Sequence, residues 1–439
     1  CVINPEPMHE FFDLFVIGEA EEAILEIIDL YRSQAAPFKA GKLSKEELLL
    51  KFCAIEGVYA PALYSVAFDE NGKQKEFKPR HKNLNPVIKK RLVKDLDQSY
   101  FPLDWLVPFI QIVHDRLTLE IMRGCPNRCR FCQARSLYFP FRIRGAQRIS
   151  DLACRLYQNT GYEEISLVGL SVSDHPEIEQ ILKNLIDLFQ EKKIGVSLPS
   201  IKPKAMVGEL ATLISKIKKT GLTFAPEAAS EKLRKILNKD FDLEEFYGVL
   251  EQAYLAGYQH LKLYFMIGLP LEEESDLKDI FEFAKSASEL RKKTGKFSAQ
   301  VNVSINTLIP KPHTAFQWFR MEGLEKIKEK QEYLRKSNRN KKIKLSFHHP
   351  EMSLLEGIIS RGDRRLSAVI EAAFRKGARF DGWQEHFVFQ HWQEAFSEQG
   401  IDPQDFLRER ATDELLAWDF IDPGIAKDAL LNDYNKTIA

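Results

Sequence analysis

Arg123-Gly124-Cys125-Pro126-Asn127-Arg128-Cys129-Arg130-Phe131-Cys132 follows directly on the apolar run 117–122. That run has the length and composition of a buried strand, and similar runs recur at 165–170, 195–199, 222–225, 260–267 and 301–308. Between them lie helix-like stretches, among them 176–192, 243–256 and 276–292. Strands alternating with helices predict parallel βα units wound into one sheet. Six such runs predict an α/β fold with a partial (βα)6 TIM-like barrel rather than a full eightfold one. In such barrels chemistry sits on the loops after the C-terminal ends of strands. The cysteine loop is in that place for the first strand.

The spacing is Cys-x3-Cys-x-aromatic-Cys, with Cys125, Cys129 and Cys132 on one short loop. A cubane cluster has four irons, so three thiolates leave one iron without a protein ligand. That iron can chelate the amino and carboxylate groups of S-adenosylmethionine, with Phe131 against the adenine. Zinc is the competing reading. A structural zinc site takes four ligands, and no fourth Cys or His lies at suitable spacing nearby. The loop is also basic: between Ile121 and Ser150 there are seven arginines and no acid. Arg123, Arg128 and Arg130 are expected to offset the cluster's charge. Arg142 and Arg144, further out with Arg148, are expected to face an anionic substrate.

The later strand ends supply further candidates for holding S-adenosylmethionine. Gly169 and Ser171 end the second strand, where enzymes of this kind hold the amino group in a Gly-Gly-Glu pattern that Val168-Gly169-Leu170-Ser171 matches loosely. Ser171, Ser173 and Asp174 serve equally well as an ordinary helix N-cap. Ser200 ends the third strand, and Glu227 the fourth, where it is placed to bond ribose hydroxyls. Gly268, in Gly268-Leu269-Pro270, allows close backbone approach after the fifth. Lys262 and Tyr264 alternate with apolar neighbours and are expected to point inward. His348-His349 with Glu351 reads as a strand end and helix start rather than a metal site.

The chain has 439 residues, 44% of them hydrophobic and 29% charged, with 63 basic and 63 acidic side chains. This is an ordinary globular composition with no net charge to favour nucleic-acid wrapping. No run approaches the ~18 apolar residues that span a bilayer. No secretory signal opens the chain, so the six cysteines do not suggest a disulfide framework, and a cytoplasmic setting is expected. Cys1, Cys53 and Cys154 are expected to be free. The opening Cys1-Val2-Ile3-Asn4-Pro5 reads as mid-domain, as in a fragment. Residues 11–18 predict a strand leading into a helix from Glu19 to about Arg32. Further on, a helix is expected near 44–56, a hairpin at 59–77 turning on Asn71-Gly72, and a basic linker with a short helix at 79–108. The basic runs 73–94 and 335–344 read as solvated faces.

The match to a known family extends beyond the cysteines. It runs through Phe15-Val16-Ile17-Gly18-Glu19, Cys132-Gln133-Ala134, Leu222-Thr223-Phe224-Ala225-Pro226-Glu227-Ala228, Lys262-Leu263-Tyr264-Phe265-Met266-Ile267-Gly268-Leu269-Pro270, Pro310-Lys311-Pro312-His313-Thr314 and Arg361-Gly362-Asp363-Arg364-Arg365. In these strings the chain resembles the uncharacterised radical S-adenosylmethionine proteins that carry a cobalamin-binding-like domain ahead of the barrel. The resemblance implies four parts: a truncated Rossmann-like tail of that domain at 1–35, a linker at 36–112, a barrel core at 113–312, and a helical extension at 313–439. It implies a 4Fe–4S cluster and S-adenosylmethionine as cofactors, with flavodoxin or ferredoxin as electron donor. The Asp-x-His-x-x-Gly pattern that ligates cobalamin is not in this sequence, so cobalamin is an expectation for a full-length protein rather than for these residues. Where the family reads Cys-Gln-Ala-Gly, Arg135 stands in place of the glycine.

The expected activity is reductive cleavage of S-adenosylmethionine to a 5′-deoxyadenosyl radical, used for methyl or sulfur-group transfer to RNA or protein. The alternatives are radical rearrangement or oxidation of a small anionic metabolite, and a non-catalytic iron–sulfur or zinc module that binds RNA.

Overall fold

The computed structural model describes residues 3–197, 222–255, 257–294 and 297–438. Among them, seven parallel strands form the core: β1 (Leu117–Glu120), β2 (Glu164–Val168), β3 (Gly195–Ser197), β4 (Leu222–Glu227), β5 (His260–Ile267), β6 (Gln300–Thr307) and β7 (Ile343–Phe347). They lie in two sheets, ordered β3-β2-β1 and β4-β5-β6-β7. In the second sheet β5 and β6 pair without a break from His260↔Gln300 to Ile267↔Thr307. A bulge falls between Phe224 and Glu227 of β4.

The pleat explains which face each residue takes. Leu261, Leu263, Phe265 and Ile267 of β5 and Val301, Val303 and Ile305 of β6 are buried in one cluster. They pack under α3 (Leu243–Leu255), α4 (Glu274–Leu290) and α5 (Leu324–Ser337). Leu117, Leu119, Ile165 and Leu167 are covered in the same way by α1 (Ala146–Thr160) and α2 (Ile178–Phe189). Fully burying each such side chain is worth roughly 1.5–3 kcal/mol, which fixes the register, since a one-residue slip would expose the whole set. The opposite face of the second sheet is polar: Lys262, Asn302 and Lys344 alternate with the buried residues.

The seventh strand was not among the runs read from sequence, although the basic side chains of 335–344 that lead into it are exposed, as expected. Ile343, Leu345 and Phe347 point to the core, while Lys344 and Ser346 point away. The lysines masked a period-two pattern. His348 and His349 do lie between this strand and α6 (Pro350–Arg361). The hairpin is present, Tyr64–Phe68 against Gln74–Pro79, and the helix Lys45–Phe52 starts on a capping box at Ser44 and Glu47. No helix forms within 79–108, where Pro79, Pro86 and Pro102 restrict the residues before them. The first long helix starts at Ala23, not Glu19, and continues to Lys39. Glu19 is turned inward and is 5% exposed.

Three of the segments divided by sequence, 1–35, 36–112 and 313–439, share one apolar cluster, in which Phe15, Tyr59, Tyr64 and Ile88 pack with Phe420 and Ile421. Ile88–Lys89 pairs with Ile421–Asp422, and the rings of Phe77 and Phe420 stack at 4.2 Å. The 35-residue first piece alone is too small to bury a sufficient core. Glu6, 1% exposed, accepts from Arg364 Nε at 2.6 Å and from the Tyr59 hydroxyl at 2.6 Å. Burial pushes the Glu6 carboxyl up, against the pull of Arg364. Arg364→Met therefore strands a buried carboxylate and should cost roughly 3–5 kcal/mol in urea unfolding. Adding Glu6→Gln to that variant should recover a large part of the loss; a cost that merely adds would show that the pair is not coupled.

Candidate functional site

The cysteine loop leaves β1 and closes on itself. Met122–Arg123 pairs antiparallel with Arg142–Ile143, placing Arg123 opposite Arg142 at the loop's neck. Gly124 takes φ +86°, and a Cβ there would stand 2.7 Å from the Tyr138 carbonyl oxygen, so only glycine fits the turn. Cys132 begins a short helix, Gln133–Leu137. The ammonium of Lys90 binds the Ser136, Leu137 and Phe139 carbonyls at 2.8, 3.2 and 2.8 Å. Burial lowers the Lys90 pKa to about 8.

Two arginines expected at the substrate are instead structural. Arg142 donates to Glu19 Oε1 at 2.6 Å and Oε2 at 2.8 Å, and also to the Val93 carbonyl. Arg144 is 1% exposed and donates to the carbonyls of Glu120 and Leu96. The acid-free stretch finds its counter-charges elsewhere in the chain. Arg123 pairs with Glu120 at 2.9 Å and with Glu21 at 2.8 Å. Arg130 donates to the Ile236 carbonyl at 2.9 Å. Arg135, in place of the family's glycine, meets Asp433 of the C-terminal helix Lys427–Ile438 at 3.0 Å.

The three thiols act on one another electrostatically. Burial raises the Cys129 thiol to about 11, Cys132 and Cys125 add to the rise, and Lys239 opposes it. Burial raises Cys132 as well, with Cys125 contributing. Such sulfurs need nearby positive charge to ionise, and metal ligation supplies it. Among the described residues, no group of three or more His, Cys, Asp or Glu is arranged to hold one metal ion. One zinc would draw each sulfur to ~2.3 Å from a single centre. A structural zinc takes four protein ligands, whereas a cubane takes three thiolates and leaves one iron open, so a loop of three cysteines fits the cluster better. Asn127 donates to Cys125 Sγ at 3.1 Å and to Asp174 Oδ2 at 2.8 Å, and Asp174 also accepts from Ser171 at 2.6 Å. Glu227, in the left-handed region at φ 65°, holds Lys239 Nζ at 2.8 Å.

Beside Cys132 opens a cavity of about 430 Å³, within the usual range of small-molecule sites. Phe131, Met266, Asn306, Leu308, Lys311 and His348 are among its walls, so it lies at the C-terminal ends of β5, β6 and β7. Phe131 is the sequence candidate found there. Gly169 packs on Met122, whose Cγ would stand 2.4 Å from an added Cβ. Ser171 faces Asp174, as above. Gly268 commits its N–H to Glu272 Oε1 at 3.1 Å instead of offering it to a ligand. Ser200 lies outside the described residues. Asn127, Lys239 and Asn306 were not singled out from sequence. Asn127 had a signal, being inside the cysteine motif, whereas Lys239 and Asn306 had none.

Glu19 holds the neck of the loop, and its ionisation sets a pH window. Burial alone would raise its pKa, but the bonds from Arg142 and the Val93 N–H, with the charges of Arg123 and Arg142, bring it below the ordinary value. A carboxylate so depressed stabilises the fold above its unfolded pKa of ~4.3, and that contribution is lost as pH falls through the lower folded value. Glu19→Gln should therefore lower the melting temperature at pH 7 and reduce the iron retained. Its difference from the unaltered chain should shrink below pH ~4. A constant difference across that range would show that the Glu19 charge is not what holds the neck.

Comparison with known proteins bears on the same residues. Residues 119–284 match the Radical SAM superfamily, and residues 1–61 match the family described as Radical SAM proteins, N-terminal. An uncharacterised protein of Methanocaldococcus jannaschii is 29% identical over 376 residues, covering 84% of this chain and 71% of that protein. The ribosomal protein uS12 methylthiotransferase RimO of Pelotomaculum thermopropionicum is 26% identical over 180 residues, 38% of this chain and 40% of that enzyme. The chain thus spans less than half of that methylthiotransferase. Among solved structures, the cobalamin-dependent S-adenosylmethionine radical enzyme OxsB aligns at TM-score 0.46 and 14% identity, over 100% of this chain and 65% of that one. No helix among the described residues is long and apolar enough to cross a membrane. With its cysteine loop at the end of the first barrel strand, inside the matched 119–284 segment, the chain carries a domain of the radical S-adenosylmethionine superfamily, whose members are enzymes with a 4Fe–4S cluster and S-adenosylmethionine as cofactors.

Proposed function

We propose that Cys125, Cys129 and Cys132 ligate the 4Fe–4S cluster, that S-adenosylmethionine occupies the cavity beside Cys132, and that the chain transfers a methyl or sulfur-containing group to RNA or protein. The observation that carries the site is three half-buried thiols on one closed loop, next to a cavity at the strand ends. The group transfer is supported by similarity to the uS12 methylthiotransferases and to a tRNA-2-methylthio-N(6)-dimethylallyladenosine synthase of Endomicrobium trichonymphae, 23% identical over 293 residues. Residues 113–312 form the catalytic core in this reading, and 313–439 brace it, partly through Asp433 on Arg135. A flavodoxin or ferredoxin in the cytoplasm would deliver the electron.

When bound, the cluster reductively cleaves S-adenosylmethionine and supplies a 5′-deoxyadenosyl radical. The chain's own residues prepare that event. Asn127, oriented by Asp174, directs an N–H at the Cys125 sulfur, and such bonds tune cluster potential. Lys239, held by Glu227, sets a positive charge beside Cys129 and Cys132. Met266, Leu308 and Ile309 wall the cavity with apolar surface and exclude water from a reactive site. Phe131 offers a ring face at the cavity, with Lys239 Nζ 5.9 Å from its centroid.

Anaerobic reconstitution tests the ligands. The chain should hold about four irons and, on reduction with S-adenosylmethionine, form 5′-deoxyadenosine. Cys125→Ala, Cys129→Ala and Cys132→Ala should each lose both. A colourless protein retaining one zinc would overturn the assignment. Mass spectrometry of tRNA and ribosomal protein after turnover should show the added group; a modified small metabolite in its place would overturn the transfer reading.

A further inference from the structure

Most charged side chains near the site are paired. Glu120, Glu164 and Glu227 each meet an arginine or lysine, and Lys311 meets Glu356. The face of the β4–β7 sheet that the helices leave uncovered is different. Lys262 of β5, Asn302 of β6 and Lys344 of β7 stand in register, side by side across three strands. All three are exposed. Among the described residues neither lysine has an acidic partner; Lys262 Nζ lies 4.7 Å from the centroid of the Tyr264 ring. The residues above them on this face are Tyr264, Ser304 and Ser346, then Met266 and Asn306, and none is acidic. The two lysines are two strands apart, roughly 9.5 Å, with the asparagine amide between them. Lys262 is four residues before Met266 and Lys344 four before His348, so the row lies roughly 13 Å along the strands from the cavity walls.

We propose that this row binds a phosphate group of the substrate. Two ammonium groups on the outer strands, with one amide on the strand between them, match a dianion with several acceptor oxygens. The absence of carboxylates on these strands removes competition for the lysines. The row takes the role that Arg142 and Arg144 cannot fill, because those guanidinium groups are spent on Glu19 and on backbone carbonyls. At that distance from the cavity, a phosphate bound here anchors a substrate whose reacting end lies beside the cofactor. This rests on the proposed function, since it identifies the chemistry of that substrate.

Isothermal titration of the full chain with two probes, inorganic pyrophosphate and a 5′-phosphorylated single-stranded oligoribonucleotide, tests the row without S-adenosylmethionine or reductant. Failure of the radical chemistry would therefore not affect the answer. At least one probe should bind, more weakly as salt rises. Lys262→Gln with Lys344→Gln should weaken it tenfold or more, with melting temperature as the control for folding. Lys262→Arg with Lys344→Arg should keep most of the binding, and Lys341→Gln, an exposed lysine off the row, all of it. Preference for the oligonucleotide indicates a nucleic acid, in keeping with the proposed function; comparable binding of both probes keeps the phosphate row and counts against RNA as the substrate. No binding of either probe, unchanged binding in the double glutamine variant, or equal weakening in Lys341→Gln would overturn the proposal.

Discussion

The neck of the cysteine loop depends on one buried carboxylate. Arg123 and Arg142 face each other across a two-residue antiparallel pair, and two guanidinium groups in that position repel unless a charge lies between them. Glu19 supplies it, 3.2 Å from Arg123 and 2.6 Å from Arg142, while also accepting the Val93 N–H at 2.6 Å. One side chain from the first twenty residues thus joins three segments. The position of the thiols follows from that neck, from Gly124 and from Lys90 on the carbonyls at the far end. Breaking a buried pair of this kind costs more than its formation gains, because the remaining charge has no water to turn to.

The same logic recurs behind the barrel. Arg361 is fully buried and, among the described residues, forms no ion pair. Its guanidinium donates to the carbonyls of Phe406, Pro310, Gln317 and Arg408, at 2.7 to 3.2 Å. Burial lowers its pKa strongly, and four oxygens aligned with its planar donors offset part of that cost. Pro310 follows directly on Ile309 of the cavity wall, so this arginine links the C-terminal extension to the wall. Three residues on, Arg364 reaches Glu6. The string Arg361-Gly362-Asp363-Arg364-Arg365 therefore stands out in the sequence for structural reasons: its arginines join chain ends to core.

The barrel strands divide their labour by face. Odd positions of β5, such as Leu261 and Leu263, are committed to the helices, and their loss would be a loss of stability. Lys262 and Tyr264, at even positions, stay outside that helix-covered core and are available for polar roles. The bulge in β4 interrupts this alternation near Glu227, which takes a left-handed backbone conformation and turns its carboxylate to Lys239. Strain of this sort in a non-glycine residue persists only where its surroundings hold it, and here they include the cluster loop.

The sequence by itself determined what is local and periodic. Cys125, Cys129 and Cys132 lie within one loop, so their shared chemistry was legible from spacing. Six of the seven core strands were legible because an apolar run bounded by helix patterns admits few other readings. The strand at Ile343–Phe347 was hidden because it is short and runs on from a basic stretch through the outward Lys344, and it was recognisable only once Ile343 and Leu345 were seen against the core. The fate of the arginines could not be read at all. A stretch with no acid of its own reads as available charge, and its partners Glu19, Glu21 and Asp433 come from the two ends of the chain. Only the tertiary structure brings those ends to the loop, because charge pairing at 3 Å is decided by position in space, to which sequence distance is no guide.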